Sequence, residues 1–181
     1  MSGASGVPPS GDLRHGAAFL RGPGGYWYAA SATLVGELVI GEGANIWYGT
    51  VLRGDDAPIT VGARTNLQDL TMVHADPGKP LVIGEDVTIG HRAIIHCLSI
   101  GARSLIGMGS ILMEDVVIGE ESLVAAGTVV PPGTIVPPRS LVRGVPGRIA
   151  RETTAEERAM IVRAGKKYAA NAVEFFRRYG A

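Results

Sequence analysis

From Ile100 to Val142 the chain reads IGARSLIGMGSILMEDVVIGEESLVAAGTVVPPGTIVPPRSLV. Every sixth residue is aliphatic: Ile100, Ile106, Leu112, Ile118, Val124, Val130, Val136 and Val142. The Ile-Gly pair recurs at Ile100-Gly101, Ile106-Gly107 and Ile118-Gly119. Toward the N-terminus the same rhythm runs through Leu34, Ile40, Ile46 and Leu52. It slips at Ala57–Thr60 and resumes as Val61, Leu67 and Val73. It slips again at Ala75–Pro80 and resumes as Ile83, Ile89 and Ile95. Six is not a helical period. It is a multiple of the strand period of two, so every sixth side chain leaves an extended chain in the same direction.

Three short strands and three corners then make one triangular coil. A Gly or small residue after each aliphatic is read as the place where the chain turns. Successive coils stack as parallel strands ~4.8 Å apart, with the aliphatics as ladders inside the prism. The predicted fold class is an all-β solenoid, a left-handed parallel β-helix of roughly six coils from Leu34 to about Ile149. Pro131, Pro132, Pro137 and Pro138 fall at late corners, where a missing ladder donor is tolerated. The rhythm resembles that of the hexapeptide-repeat superfamily.

Composition agrees. Gly contributes 26 of 181 residues, about twice the ~7% average, and a helical bundle would lose roughly 1 kcal/mol at each interior Gly. Charged residues are 19% and hydrophobic residues 46% of the chain, so a core can form and global disorder is excluded. Seventeen basic and seventeen acidic side chains cancel, which argues against a nucleic-acid partner bound through bulk charge. No apolar run approaches the ~20 residues of a membrane span. A single Cys excludes a disulfide framework and fits a reducing, cytoplasmic setting. Residues 1–12 are Gly/Ser/Pro-rich without the pattern of a signal peptide, and are expected to form a disordered tail. The β-helix domain is expected over 13–150 and a helix over 151–181. Thr154-Ala-Glu-Glu157 reads as a capping box. Met160, Ala164, Tyr168, Ala172, Phe175 and Tyr179 then form one apolar helical stripe, suited to covering a face of the prism.

The coil arithmetic places the histidines. With Val61, Leu67 and Val73 marking faces one, two and three, Ile83, Ile89 and Ile95 repeat those faces one coil later. His74 and His96 therefore stack on face three, with Arg53 one coil below His74. Asp69 stacks under His91 beyond face two, beside Gln68. Two outward imidazoles on adjacent strands are poised to converge on one metal. His91, on another face, could join them from a neighbouring chain, and closed cyclic symmetry would then give three sites in a homotrimer. His15, the fourth histidine, has no role in this scheme. Cys97 reads as a small packed residue.

The stretches Asn45-Ile-Trp-Tyr-Gly-Thr-Val-Leu-Arg-Gly-Asp55, Thr65-Asn-Leu-Gln-Asp69, Val73-His74 and Thr88-Ile-Gly-His91-Arg-Ala-Ile-Ile-His96 resemble the γ-class carbonic anhydrase family. So do Leu105-Ile-Gly-Met-Gly109 and Gly144-Val-Pro-Gly-Arg-Ile-Ala-Arg151, the last shared with many hexapeptide proteins. The resemblance covers roughly residues 24–180. It implies a homotrimer with a metal between subunits: His74 and His96 from one chain, His91 from its neighbour. It implies that Arg53 and Asp55 form charge pairs at the subunit contact. It also implies that Gln68 hydrogen-bonds the water on the metal and that Asn66 and Asp69 are polar neighbours of the site. Three neutral histidines leave a fourth position open. Zn²⁺ there lowers the pKa of its water towards ~7, which gives hydroxide to attack CO₂ and form bicarbonate. Fe²⁺ or Co²⁺ would also accept three imidazoles. Active members of the family carry a longer acidic loop with a Glu proton shuttle. Here the loop is Ala75-Asp-Pro-Gly-Lys-Pro80, and Asp56 or Asp76 is the candidate substitute. Two other classes remain: a CoA-dependent acyltransferase or thioesterase, which would need one basic histidine rather than three at metal spacing, and a catalytically weak metal-binding scaffold.

Overall fold

A computed structural model describes residues 18–180. The tail expected at 1–12, and His15, lie outside the described residues. The aliphatic rhythm forms a triangular prism, the left-handed β-helix that the repeat predicts. Its ladders are read directly from strand register. Face one stacks Ile40, Val61, Ile83, Ile100, Ile118 and Val136. Face two stacks Ile46, Leu67, Ile89, Ile106, Val124 and Val142. Face three stacks Leu34, Leu52, Val73, Ile95, Leu112 and Val130. From Ile46 onward these inward side chains are essentially all buried. Filling the axis with one aliphatic per face per coil at close packing is what holds the prism together.

Several details differ from the sequence expectation. The slip at Ala57–Thr60 does not interrupt the strand. It lies within the 11-residue strand Val51–Val61, which bends across faces three and one and pairs with a different strand on each. The step from Ile95 to Ile100 is five residues rather than six. The parallel coils end at the strand Ser140–Gly144, and Gly147–Glu152 folds back antiparallel as a hairpin. Ile149 is therefore an exposed hairpin residue, and the coils stop a few residues short of their expected end near it.

The turning residue is also not the one after the aliphatic. A Cβ on Gly101 would lie 2.3 Å from the backbone N of Glu120 in the next coil. Such glycines let coils approach rather than turn. The left-handed backbone falls three residues after the aliphatic instead, at Arg64, Asp86, Arg103, Glu121 and Arg139 between faces one and two. These stacked corners alternate in sign. Arg64 pairs with Asp86 and Glu85, Arg103 with Glu120 and Glu121, and Arg139 with Glu121. The charges offset the cost of left-handed non-Gly residues only slightly, because the corner is exposed.

The helix Ala155–Tyr179 starts from Thr154, whose side chain accepts from Glu157 N while the Glu157 carboxylate accepts from Thr154 N. It runs over face two against the strands Phe19–Arg21, Asn45–Ile46, Asn66–Leu67 and Thr88–Ile89. Ile161 and Ala172 are its buried residues. Ile161 lies off the expected stripe, and Met160 on it stays 36% exposed. Near the C-terminal end Tyr168 and Phe175 pack on Trp47, and Phe175 on Phe19, with ring centroids 5.0–6.1 Å apart. Each such pair adds about 0.5–1.5 kcal/mol beyond its buried area. No helix among the described residues is long and apolar enough to cross a membrane.

Candidate metal centre

Parallel pairing sets Arg53 beside His74 and Val73 beside Ile95. His74 and His96 leave face three in the same direction. Their rings lie 9° from parallel, and His74 Nδ1 is 3.2 Å from His96 Nε2. His74 Nε2 lies 3.1 Å from Asp56 Oδ2 and 3.7 Å from Asp55 Oδ1. His96 Nε2 also meets Asp76 Oδ1 at 3.1 Å, and His96 Nδ1 lies 3.3 Å from Glu114 Oε1. The loop carrying Asp76 is tied down by Lys79, whose ammonium donates to Asp115. Arg53 Nη1 donates to both carboxylate oxygens of Asp55, at 3.0 and 2.8 Å. That hydrogen bond holds the Asp55 carboxyl below its ordinary range.

His91 follows face two, and does not join the pair within the chain. Its Nδ1 lies 2.8 Å from Asp69 Oδ2, and its Nε2 is 3.2 Å from the Tyr168 hydroxyl. Burial raises the Tyr168 hydroxyl above its ordinary pKa, and the nearby Asp69 charge adds to this. Gln68 is buried and donates through Nε2 to Asn66 Oδ1 at 3.2 Å. Asn66 in turn donates to Thr88 Oγ1 at 2.8 Å. Gln68 is thus held by a relay on adjacent coils. Beside it a cavity of ≈ 370 Å³ opens between the helix and the sheet. Gln68, His91 and Tyr168 stand among its lining, and Leu105, Met108, Leu123 and Met160 give it apolar walls.

The cysteine is no part of this site. Cys97 is buried, and burial pushes its thiol up to about 12. Among the described residues the tightest trio of metal-ligating types within one chain is Asp55, Asp56 and His74, not the three histidines. Two of its members already serve Arg53. Two contacts were missed by sequence reasoning. Tyr168 was counted only as part of the apolar stripe. Glu114 was not singled out, although Leu112 stacks on Ile95 and so brings the following corner beside His96.

Comparison with known proteins identifies the family. The family model for bacterial transferase hexapeptide (six repeats) matches residues 98–132, and that for the hexapeptide repeat of succinyl-transferase matches residues 80–114. A carbonic anhydrase of Geobacillus kaustophilus is 46% identical over 136 residues, covering 75% of each chain. Gamma carbonic anhydrase 1 of Arabidopsis thaliana, a mitochondrial protein, is 41% identical over 146 residues, 77% of this chain and 53% of that one. The chain therefore spans about half the length of the plant relative. Among solved structures, a hexapeptide transferase family protein from Anaplasma phagocytophilum is 36% identical with a TM-score of 0.73, covering 87% of this chain and 98% of that chain. Solved acyltransferases at 16–24% identity share the fold alone. The fold and these matches define a left-handed β-helix protein of the hexapeptide-repeat superfamily. Within it, the chain belongs to the γ-class carbonic anhydrase-like family.

Proposed function

We propose that the chain is a γ-class carbonic anhydrase, interconverting CO₂ and bicarbonate at a metal centre built between subunits of a homotrimer. The observation that carries this reading is the approach of His74 Nδ1 to His96 Nε2 at 3.2 Å. A tetrahedral Zn²⁺ site with Zn–N of ~2.0–2.1 Å has a ligand–ligand edge of about 3.3 Å, so the pair fits two corners of one. The third donor is His91 of a neighbour. Support comes from the surfaces beside the histidines. The outward positions of face three form an apolar column, Val51, Met72, Ile94, Ile111 and Val129, in strand register. Met108, which lines the cavity with His91, and Leu70, which follows Asp69 in the chain, are 57% and 54% exposed. Apolar surface of this kind, next to an incomplete site, fits burial against a second copy.

Held by His74, His96 and a neighbour's His91, zinc would supply the Lewis acidity that turns water into a nucleophile near neutral pH. Gln68, held through Asn66 to Thr88, would orient the attacking water. The largely apolar cavity beside Gln68 and His91 suits an uncharged, apolar substrate such as CO₂. Arg53 and Asp55, paired within the chain, would stiffen the face-three surface against the neighbour. Asp56 and Asp76, next to the ring nitrogens of His74 and His96, stand where a departing proton would pass. The single buried Cys97 is compatible with a reducing, cytoplasmic setting. The test is metal analysis with light scattering and stopped-flow CO₂ hydration. About one zinc per chain, a mass near three times 18.8 kDa and hydration above the buffer rate are expected. A monomer, or a zinc-loaded trimer without hydration, would overturn the reading.

A further inference from the structure

We propose that Glu114 is the positioning residue for His96, and that it selects which ring nitrogen of His96 meets the metal. This rests on the three-histidine centre proposed above. A neutral imidazole carries one proton and offers one lone pair. His74 Nδ1 and His96 Nε2 face each other, so both can serve one cation only if each ring keeps its proton on the other nitrogen. Those other nitrogens are His74 Nε2 and His96 Nδ1. Each has its own carboxylate: Asp56 at 3.1 Å for His74 and Glu114 at 3.3 Å for His96. His91 also has a carboxylate at one ring nitrogen, with Asp69 2.8 Å from Nδ1, while its Nε2 lies 3.2 Å from the Tyr168 hydroxyl of the docked helix. Each proposed ligand thus has a carboxylate of its own chain behind it. Metal-binding histidines usually have this arrangement, because it fixes the tautomer and raises ligand basicity.

Glu114 reaches this place through the stacking of coils. Leu112 lies on Ile95 in register, which sets the next corner beside His96. Asp115 turns that corner with φ 60° and is held by Lys79 from the loop after His74. The short loop therefore anchors the corner that carries Glu114. Asp76, on the same loop, approaches His96 at Nε2 rather than Nδ1, so it does not share the role.

The test uses the zinc-loaded full chain with ¹⁵N-labelled histidine. In the wild type the His96 Nδ1–H signal should be present and slow to exchange. Glu114→Ala should lose that protection and bind zinc between about 10- and 100-fold more weakly in chelator competition. Glu114→Gln, which keeps an acceptor oxygen at the same reach, should recover most of both. Glu120→Ala removes a carboxylate that pairs with Arg103 on another corner, and should change neither. An unchanged Nδ1–H signal or unchanged zinc affinity in Glu114→Ala, beside a wild type that binds zinc, overturns this role and leaves the metal centre standing. A wild type that takes up no zinc overturns the centre and this role together.

Discussion

Mixed trimers give the sharpest test of where the third ligand comes from. The structure puts His74 and His96 together on face three, and His91 beyond face two against Asp69 and Tyr168. If each site joins the pair of one chain to His91 of the next, His74→Ala and His91→Ala trimers each hold no complete site. Co-refolding the two variants in equal amounts changes that. A site is complete wherever a chain with an intact pair precedes a chain with an intact His91. Random assembly in a closed ring of three makes this true at about one site in four, or about 0.75 zinc per trimer. A control comes from the same geometry. His74→Ala mixed with His96→Ala can never be rescued, because no chain then carries both members of the pair. The assay is zinc content after size exclusion, with hydration rate as a second readout. Zinc near zero in the His74→Ala/His91→Ala mixture, with mixed trimers shown by mass, would refute the shared site. Zinc recovered in the control mixture would refute the cis pairing of His74 and His96.

Two further outcomes follow from packing and charge. Ile118 fills the prism beneath face one, whereas Ile135 points outward on the same face and is 72% exposed. Ile118→Ala should therefore cost about 2–5 kcal/mol by denaturant unfolding, and Ile135→Ala within about 0.5 kcal/mol; equal costs would mean the ladder does not carry the fold. The Glu157 carboxyl is lowered to about 2, chiefly by Arg151 and then by the Thr154 backbone N–H. A depressed carboxyl stabilises fully above its ordinary value of 4.5 and loses that contribution as pH falls towards 2. Hydrogen-exchange protection in the first helical turn, corrected for the intrinsic pH dependence of amide exchange, should fall across that window in the wild type, and Glu157→Gln should flatten the response.

The prism was legible because a period of six admits little else. Each slip in the rhythm kept the faces in phase, so Val73 still stacks on Ile95 and the histidine pair could be placed by counting. Register is set by hydrophobic pattern, and a pattern repeated on every coil leaves no freedom for error. The corners were less legible, for the opposite reason. The glycine after each aliphatic is conspicuous, but it answers to the backbone of the next coil. The turn is made three residues on by Arg64, Arg103 or Glu121, residue types with no special claim to a left-handed conformation, and by Asp86, whose type adopts it more readily. Their placement comes from closure of the coil, a tertiary demand that overrides local preference.

The same distinction separates the parts of the site. Positions that follow a ladder aliphatic, such as His74, His96 and Arg53, inherit their direction from the strand. Glu114 and Tyr168 instead come from a corner and from the docked helix, so their contacts depend on how separate elements pack. Tyr168 sits in an apolar stripe, and nothing in that stripe says that its hydroxyl will end 3.2 Å from His91. Glu114 could have been found by extending the count one coil past His96, since Leu112 on Ile95 already fixes which corner lies beside that ring. In a solenoid, the neighbours of a functional residue lie one coil away in sequence. A search for the groups that orient a ligand should therefore step by whole coils before it looks at flanking residues.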